Sequence, residues 1–293
     1  MQTLYTHEAA NIRKTWFLFT VFLIIVIGLG YFLSIYFGHP GILYFAVFFA
    51  IFQSVLSYWF SHKIVLSMTG AKEASPEANR ELWNIVENLS ITAGLPMPKL
   101  YIINDSIPNA FATGRNKEHA SVAVTTGLLQ ILEKTELEGV IAHELSHIGN
   151  RDILISTVAV VLAGFVSIVS DMFLRSHILG GNRDNDSKAS GIFMIVGIVL
   201  AILAPIFAML IQFAISRKRE FLADASGALL TRYPEGLANA LRKISQYVVP
   251  MHKASNATAH LFIANPFGNV RKIGKLFMTH PPVEERIRAL IGK

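Results

Sequence analysis

The stretch that decides the fold is VIAHELSHIGNRDILISTVAVVLAG, Val140–Gly164, in which a histidine-bearing segment runs directly into an apolar one. His143 and His147 are four residues apart, which places both imidazoles on one face of a helix. An H-E-x-x-H helix binds zinc through its two histidines and uses its glutamate, here Glu144, as a general base towards water. Because such a site needs water and a bilayer excludes it, the stretch predicts a hydrolytic centre at the boundary between a soluble body and a membrane.

The composition also indicates a membrane protein. The chain has 293 residues, of which 52% are hydrophobic and only 16% charged, whereas soluble domains carry about 25% charged residues. The net charge is +6, but the basic residues lie mostly beside apolar runs, so the positive-inside rule explains them and no nucleic-acid partner is expected. The absence of cysteine excludes a disulfide framework, a thiolate zinc site and a cysteine nucleophile.

Four apolar runs are candidates for membrane spans, at about residues 15–37, 41–60, 153–174 and 192–216. A helix rises about 1.5 Å per residue and a hydrocarbon core is about 30 Å thick, so runs of about 20 residues can cross it. The first run is longer than the core of a secretory signal, which favours a retained helix. The third is short and rich in small residues, so a buried core helix is the alternative to a span.

The runs divide the chain into a membrane hairpin (1–62), a soluble part (63–152), a second hairpin (153–216) and a soluble remainder (217–293). With four spans, both soluble parts lie on one side of the membrane. Basic residues concentrate on the flanks that face that side, namely Arg13, Lys14, Lys63, Arg151, Arg217, Lys218 and Arg219. This bias predicts a multi-pass protein whose soluble body is cytoplasmic.

The soluble body has α+β patterning. PKLYIIND (98–105) and SVAVTTGLL (121–129) are typical of short strands, and NAFATG (109–114) between them is expected to be a turn-rich segment. Helices are expected to begin near Ser75, at Pro234 and after Pro282. The predicted fold is an α-helical integral membrane protein with a cytoplasmic α+β, zincin-like metallopeptidase domain.

The helix that carries the histidines is expected to begin with a capping box between Thr135 and Glu138. A catalytic zinc takes a third protein ligand and keeps one open position. A third histidine six residues after His147 would complete a longer zinc motif, but position 153 is isoleucine.

The first glutamate after His147 is Glu220, which directly follows the fourth apolar run. A hairpin of the third and fourth runs would return the chain to the point where His147 leaves it, so Glu220 is the candidate third ligand. The alternative is an ion pair of Glu220 with Arg217 or Arg219. Asp224, one helical turn further on, can accept the outer N–H of a ligating imidazole.

Four motifs together resemble the HtpX family of bacterial membrane-bound zinc metallopeptidases, which is related to the CAAX prenyl protease. They are AHELSHIGNRD, SRKREFLADASGA, NAFATG and FMTHPPVEERI, and the resemblance covers nearly the whole chain. It implies one Zn²⁺ held by His143, His147 and Glu220, with Glu144 as general base and Asp224 behind a ligand. It also implies an enzyme of the bacterial inner membrane that removes damaged membrane proteins under stress.

Two further residues are assigned by the resemblance. His280 resembles a family histidine that stabilises the oxyanion, and a surface histidine before a proline turn is the alternative. Asn109 resembles a residue beside the substrate cleft, and an ordinary turn asparagine is the alternative. The strand at 121–126 is expected to be the edge that holds an extended peptide. Arg286 is expected to be a solvated charge, and an ion pair with a carboxylate of the site is the alternative.

The predicted function is zinc-dependent endopeptidase activity on misfolded or damaged membrane proteins, with the lipid bilayer and peptide or membrane-protein substrates as partners. The chain lacks the G-x-x-x-x-G-K-[ST] signature of an ATPase, so its substrates must already be flexible or be unfolded by another machine. The alternatives are a processing peptidase with one defined substrate and a non-catalytic zinc-binding scaffold. The sequence does not indicate an oligomeric state.

Overall fold

The computed structural model describes residues 4–162, 217–253, 255, 258–268 and 281–292. His280, the apolar run at 192–216 and the third run beyond residue 162 lie outside the described residues, so their predicted roles are not tested by the fold.

Two long antiparallel helices open the chain, α1 (Leu4–Phe37) and α2 (Gly41–Thr69). Within the described residues they supply two helices long and apolar enough to cross a membrane, at Ala9–Phe37 and Gly41–Thr69. They pack closely, because a β-carbon on Gly30 would lie 2.2 Å from that of Ala46. Large apolar side chains point outwards along both helices, as expected for surfaces that face lipid.

Helix α2 continues past the predicted end at residue 60, to Thr69. Its last turns are stabilised by the soluble body, because Val65 and Leu66 pack with Phe111 and Ala123 of the sheet. The second membrane helix and the soluble body therefore share one continuous rod.

The soluble body is built on a four-stranded sheet in the order β1-β2-β4-β3. The strands are β1 (Lys72–Glu73), β2 (Lys99–Ile103), β3 (Ala110–Gly114) and β4 (Ala120–Thr125). β2 and β4 are parallel, while β1 and β3 run antiparallel to their neighbours. Alternate residues of β4 enter different cores: Val122 and Val124 face the helices, and Ala123 faces the end of α2.

Three sequence predictions about this sheet were wrong. The strand expected at 121–129 ends at Thr125, and a helix begins at Thr126. The 109–114 segment is a strand rather than a turn-rich segment, because it pairs with β4 along its whole length. β4 is paired on both sides, so it is not an edge; the edge strands of the described sheet are β1 and β3, and β3 is the one beside α5. Local composition did not indicate a strand at 110–114, because the small residues of Ala110–Gly114 have low strand propensity and are favoured here by close packing.

Seven further helices complete the described fold: α3 (Arg80–Ala93), α4 (Thr126–Ile131), α5 (Lys134–Gly149), α6 (Asp152–Leu162), α7 (Arg217–Thr231), α8 (Pro234–Ser245) and α9 (Val283–Ile291). α5 is central, packed against α3, α7, α8 and β3. The predicted helices at Pro234 and after Pro282 are confirmed as α8 and α9, and the one expected near Ser75 begins at Arg80.

The opening stretch of sequence folds as two helices joined by a sharp bend. α5 ends at Gly149 and α6 begins at Asp152, with an angle of 83° between them. Arg151 at the bend adopts a left-handed backbone with φ 55°. Most of the described part of α6 is buried, and Leu154 and Val158 pack with Phe19 and Phe22 of α1. The start of the third apolar run is thus packed between the first membrane helix and the soluble body.

Candidate metal centre

The histidine-bearing helix is anchored at its start by a capping box that differs from the predicted one. Its N-cap is Glu133, whose backbone N–H donates to the Glu136 carboxylate over 2.8 Å. Lys243 of α8 reaches the same Glu136 oxygen at 2.7 Å. The box predicted between Thr135 and Glu138 was therefore placed two residues too late. The ion pair with Lys243, a tertiary contact, favours Glu136 as the glutamate of the box.

The two histidines and Glu220 bring their ligand atoms to one point. The Nε2 atoms of His143 and His147 are 3.1 Å apart. The Glu220 carboxylate oxygens lie 3.8 Å from the first and 3.6 Å from the second. All three ligand atoms lie within 4.8 Å of one another. The predicted ligand trio is thus assembled by the fold, although Glu220 is far from the histidines in sequence.

Helix α7 delivers Glu220 because it crosses α5 at very short range. A β-carbon on Gly227 would lie 3.0 Å from the backbone nitrogen of His143. This contact allows the carboxylate, two turns earlier on α7, to reach both imidazoles.

Both imidazoles are oriented by buried carboxylates at their outer nitrogens. Nδ1 of His143 lies 2.9 Å from Oδ1 of Asp224, the residue predicted for this role. Nδ1 of His147 lies 3.0 Å from Oδ2 of Asp152. The sequence placed Asp152 at the membrane boundary and gave it no role at the site. The buried bend after α5, which the sequence did not predict, brings its side chain back to His147. When each Nδ1 donates to its carboxylate, the Nε2 lone pair is left for a cation.

The geometry and the charges of these residues fit a divalent metal ion. Two nitrogens bound tetrahedrally at about 2.0–2.1 Å from zinc would be about 3.3 Å apart, close to the 3.1 Å that separates the Nε2 atoms. Burial acts to lower the pKa of His147, but the bond to Asp152 and the charge of Glu220 raise it to about 9. The point between the ligands therefore favours a positive charge, and two nitrogens with one carboxylate oxygen are a typical donor set for zinc.

Glu144 lies beside the ligands without belonging to them. Its side chain is 2% exposed. Burial raises the pKa of its carboxyl to about 7; Glu220 adds to the rise, while His147 and the backbone N–H of Ala112 oppose it. A carboxyl with a pKa near neutrality can both accept and return a proton.

Arg286 corrects another prediction. It is not a solvated charge but is 1% exposed. Its Nε and Nη2 atoms donate to the two Asp224 oxygens at 2.8 and 2.6 Å, and Nη1 donates to the Ile263 carbonyl at 3.1 Å. Although burial acts in the opposite direction, Arg286 holds the pKa of Asp224 below its usual value. The arginine thus keeps ionised the carboxylate that orients His143.

The first membrane helix also reaches the metal centre. Asn11, buried on α1, donates from Nδ2 to Asp152 Oδ1 at 2.7 Å and to the Asn150 carbonyl at 3.0 Å. Asp152 is the carboxylate that orients His147, and Arg219 lies 3.6 Å from its Oδ1. A hydrogen-bonded path therefore runs from a membrane helix to a candidate ligand, and nothing in the local sequence around Asn11 indicated it.

A pocket lies over the ligand atoms. Its walls beyond the charged residues come from Ala112 of β3, Ile153 and Ser156 of α6, and the segment that contains His260 and Leu261. The edge strand and the start of the third apolar run thus border the same cavity.

Asn109 lies at the start of β3, with its side chain buried. Its Nδ2 donates to the Ala264 carbonyl at 3.0 Å, and its Oδ1 accepts from the Ala264 N–H at 3.2 Å. These bonds attach the 258–268 segment to the edge strand. The amide is thus used within the fold, and the predicted contact of Asn109 with substrate stays a prediction.

The chain was compared with known proteins. The family model described as Peptidase family M48 matches residues 76–293. A protease HtpX homolog of Caldanaerobacter subterraneus subsp. tengcongensis is 49% identical over 295 residues, covering 99% of this chain and 97% of that protein. A protease HtpX homolog of Tropheryma whipplei is 47% identical over 289 residues, covering 98% and 97%.

Among solved structures, the crystal structure of S. mikatae Ste24p matches with a TM-score of 0.52 at 17% identity. It covers 98% of this chain and 67% of that one. At this identity the likeness shows the fold alone. Two helices of the described chain are candidates for membrane spans. Together with the family match and the whole-length relatives, they show that this protein belongs to peptidase family M48 and is a membrane metallopeptidase.

Proposed function

We propose that the chain is a zinc endopeptidase that hydrolyses peptide bonds of misfolded or damaged membrane proteins at the cytoplasmic face of the bacterial inner membrane. The observation that carries the chemistry is the convergence of His143, His147 and Glu220 on one point, with Glu144 beside them. A zinc ion bound by these three residues would acidify a water molecule and polarise the scissile carbonyl.

Glu144 supplies the proton transfers. Its carboxylate accepts a proton from the attacking water and later delivers it to the amine nitrogen of the leaving peptide. The raised pKa of about 7 suits both steps, because the group changes protonation state near neutral pH. His280 is proposed from the family resemblance to donate to the oxyanion.

An extended substrate would bind along β3. The carbonyl of Ala110 accepts from the Ile263 N–H, so the 258–268 segment occupies the outer side of this strand at its beginning and a peptide would add beyond that point. Ala112, two residues on, lines the pocket and donates its N–H to Glu144. A peptide that adds to this edge would pass beside the metal ligands in an extended conformation, which requires unfolded or flexible substrates.

The position of the site supports membrane-protein substrates. The pocket is lined by α6, which packs against the first membrane helix, and Asn11 of that helix is bonded to Asp152. The cytoplasmic orientation, the inner membrane and the multi-pass topology rest on the Lys/Arg bias around the apolar runs and on the family resemblance.

The test is a cleavage assay of Glu144→Gln against the wild type in liposomes. The variant is expected to retain stoichiometric zinc by elemental analysis and to lose about 10²–10⁴-fold in cleavage rate. Glu138→Gln replaces a partly exposed carboxylate on the same helix. It is the matched control and should cleave at the wild-type rate. Cleavage by Glu144→Gln at the wild-type rate would refute the proposed mechanism.

The cleavage sites separate the proposed function from its alternatives. Sites scattered over several destabilised membrane proteins support quality control, whereas a single sequence motif supports a processing peptidase. If the protein binds zinc but shows no cleavage that depends on Glu144, the non-catalytic scaffold is the correct interpretation.

A further inference from the structure

The water–membrane boundary on the body side of the hairpin is marked by aromatic residues of both helices. Trp16 of α1 stacks on Tyr58 of α2 with ring centroids 6.4 Å apart. Trp16 is 62% exposed and the neighbouring Trp59 is 48% exposed. Tryptophan and tyrosine concentrate at the headgroup level of membranes.

The side-chain pattern along α2 supports a water–membrane boundary at the same level. The large exposed apolar side chains of α2 end at Phe60, and Ser61, His62 and Lys63 follow. α2 has 29 residues, whereas about 20 suffice to cross the hydrocarbon core. Its last turns therefore extend beyond the hydrocarbon, and Trp59 lies near the headgroups.

A cation of the soluble body, Arg115, is positioned at this level. The Arg115 guanidinium lies over the Trp59 ring, 4.2 Å from its centroid. Its Nη2 atom lies 2.9 Å from Nε2 of His119, whose Nδ1 lies 2.7 Å from Oδ1 of Asn116. Asn116 also caps the short helical turn that contains His119. The guanidinium is thus held by one ring face and one imidazole.

Among the described residues, no carboxylate neutralises the charge of Arg115. In the described part of the chain, no carboxylate forms an ion pair with Arg115 or with Lys63, which lies one turn beyond Trp59 on α2. Nor do Nε and Nη1 of Arg115 have a hydrogen-bond acceptor among the described residues. These N–H groups and the second N–H of Nη2 lie in one plane, so two neighbouring ones can donate to two oxygens of a phosphate.

We propose that Arg115, stacked on Trp59 and assisted by Lys63, binds the phosphate of an anionic phospholipid. A zwitterionic lipid carries its own cation beside the phosphate, so a site with unneutralised positive charge selects the anionic headgroup. Each basic residue at a membrane surface adds about a factor of five to binding of anionic lipid. Arg115 follows β3 directly, so the bound lipid holds the end of the edge strand beside Glu144 against the bilayer.

The test measures lipid binding to the full-length protein by native mass spectrometry. The wild type is titrated with phosphatidylglycerol and with phosphatidylcholine of the same acyl chains. We expect at least a fivefold preference for phosphatidylglycerol, lost in Arg115→Gln and reduced in Trp59→Leu. Arg115→Lys, which keeps the charge but not the fork, should retain part of the preference.

The matched control is Arg242→Gln, the same change on α8, which packs on α5, α7 and α9. It should bind both lipids as the wild type does, and the melting temperature of each variant shows that the fold is intact. An unchanged lipid preference in Arg115→Gln would overturn the proposal. Full displacement of the lipid by equimolar glycerol phosphate would also overturn it, because the site would then be a general anion site.

Discussion

Replacing Asn11 with leucine tests whether the first membrane helix helps to hold the candidate metal ligand His147. The wild-type amide donates to Asp152 at 2.7 Å and to the Asn150 carbonyl at 3.0 Å, and Asp152 in turn accepts from Nδ1 of His147. Leucine is similar in size but donates nothing. The substitution removes the Asn11 donor from a buried carboxylate oxygen, which lies 3.6 Å from Nη1 of Arg219.

The expected magnitude follows from the unsatisfied acceptors. A buried acceptor that loses its donor costs about 1–3 kcal/mol. At about 1.4 kcal/mol per factor of ten, this corresponds to a fall of about 5–140-fold in zinc affinity if the cost is expressed at His147. A fall of about 10–100-fold is typical when the partner behind a metal ligand is removed.

Zinc affinity is measured by competition with a chromophoric chelator, using the purified full-length protein. Asn11→Asp should bind zinc still more weakly, because a second carboxylate would face Asp152. Thr15→Val is the control: its buried hydroxyl donates to the Asn11 carbonyl within α1 and touches neither aspartate nor ligand. A folded Asn11→Leu protein with a zinc affinity within threefold of the wild type would refute the reasoning.

Three other substitutions test the ligand set and its supports. Glu220→Ala should lose stoichiometric zinc by elemental analysis, because two imidazoles alone hold the ion weakly. Arg286→Met should lower the free energy of unfolding by about 3–5 kcal/mol, because it leaves the Asp224 carboxylate buried without a cation; a second change, Asp224→Asn, should recover part of the melting temperature. Gly139→Ala should cost about 1–3 kcal/mol, measured by thermal unfolding, because its β-carbon would lie 2.6 Å from the Leu237 nitrogen.

Each of these has a control and a contrary outcome. Glu235→Ala removes an exposed carboxylate of α8 and should keep zinc; zinc at full occupancy in Glu220→Ala would exclude Glu220 as a ligand. An unchanged melting temperature in Arg286→Met would mean that the arginine charge is not needed to offset the buried Asp224 carboxylate. Gly41→Ala, where a β-carbon meets nothing within 4 Å, should leave stability unchanged, and equal effects at both glycines would contradict the close packing of α5.

Most of the features that the sequence predicted correctly depend on short-range patterns; Glu220, inferred as the first glutamate after His147, is the exception. Long apolar runs predicted the first two membrane helices, and proline-led segments predicted α8 and α9. The spacing of His143 and His147 predicted that their imidazoles share a face, because one helical turn separates them.

The features that the sequence did not predict depend on long-range packing. The 109–114 segment is a strand because it pairs with β4, and its position at the sheet edge depends on strand order. Arg286 looked like a surface charge because it lies near the end of the sequence in a segment rich in charged residues. It is buried because α9 carries it to Asp224 on α7.

The opening stretch, Val140–Gly164, shows both kinds of information. By itself it determined the chemistry, because a metal-binding helix needs only the residue types and spacing of one turn. The tertiary structure decided what surrounds that turn: an 83° bend sends α6 along the pocket, and the same bend returns Asp152 to His147, where Asn11 of the membrane helix meets it. The physical reason is that burial of charged groups requires partners, and those partners come from parts of the chain that only folding brings together.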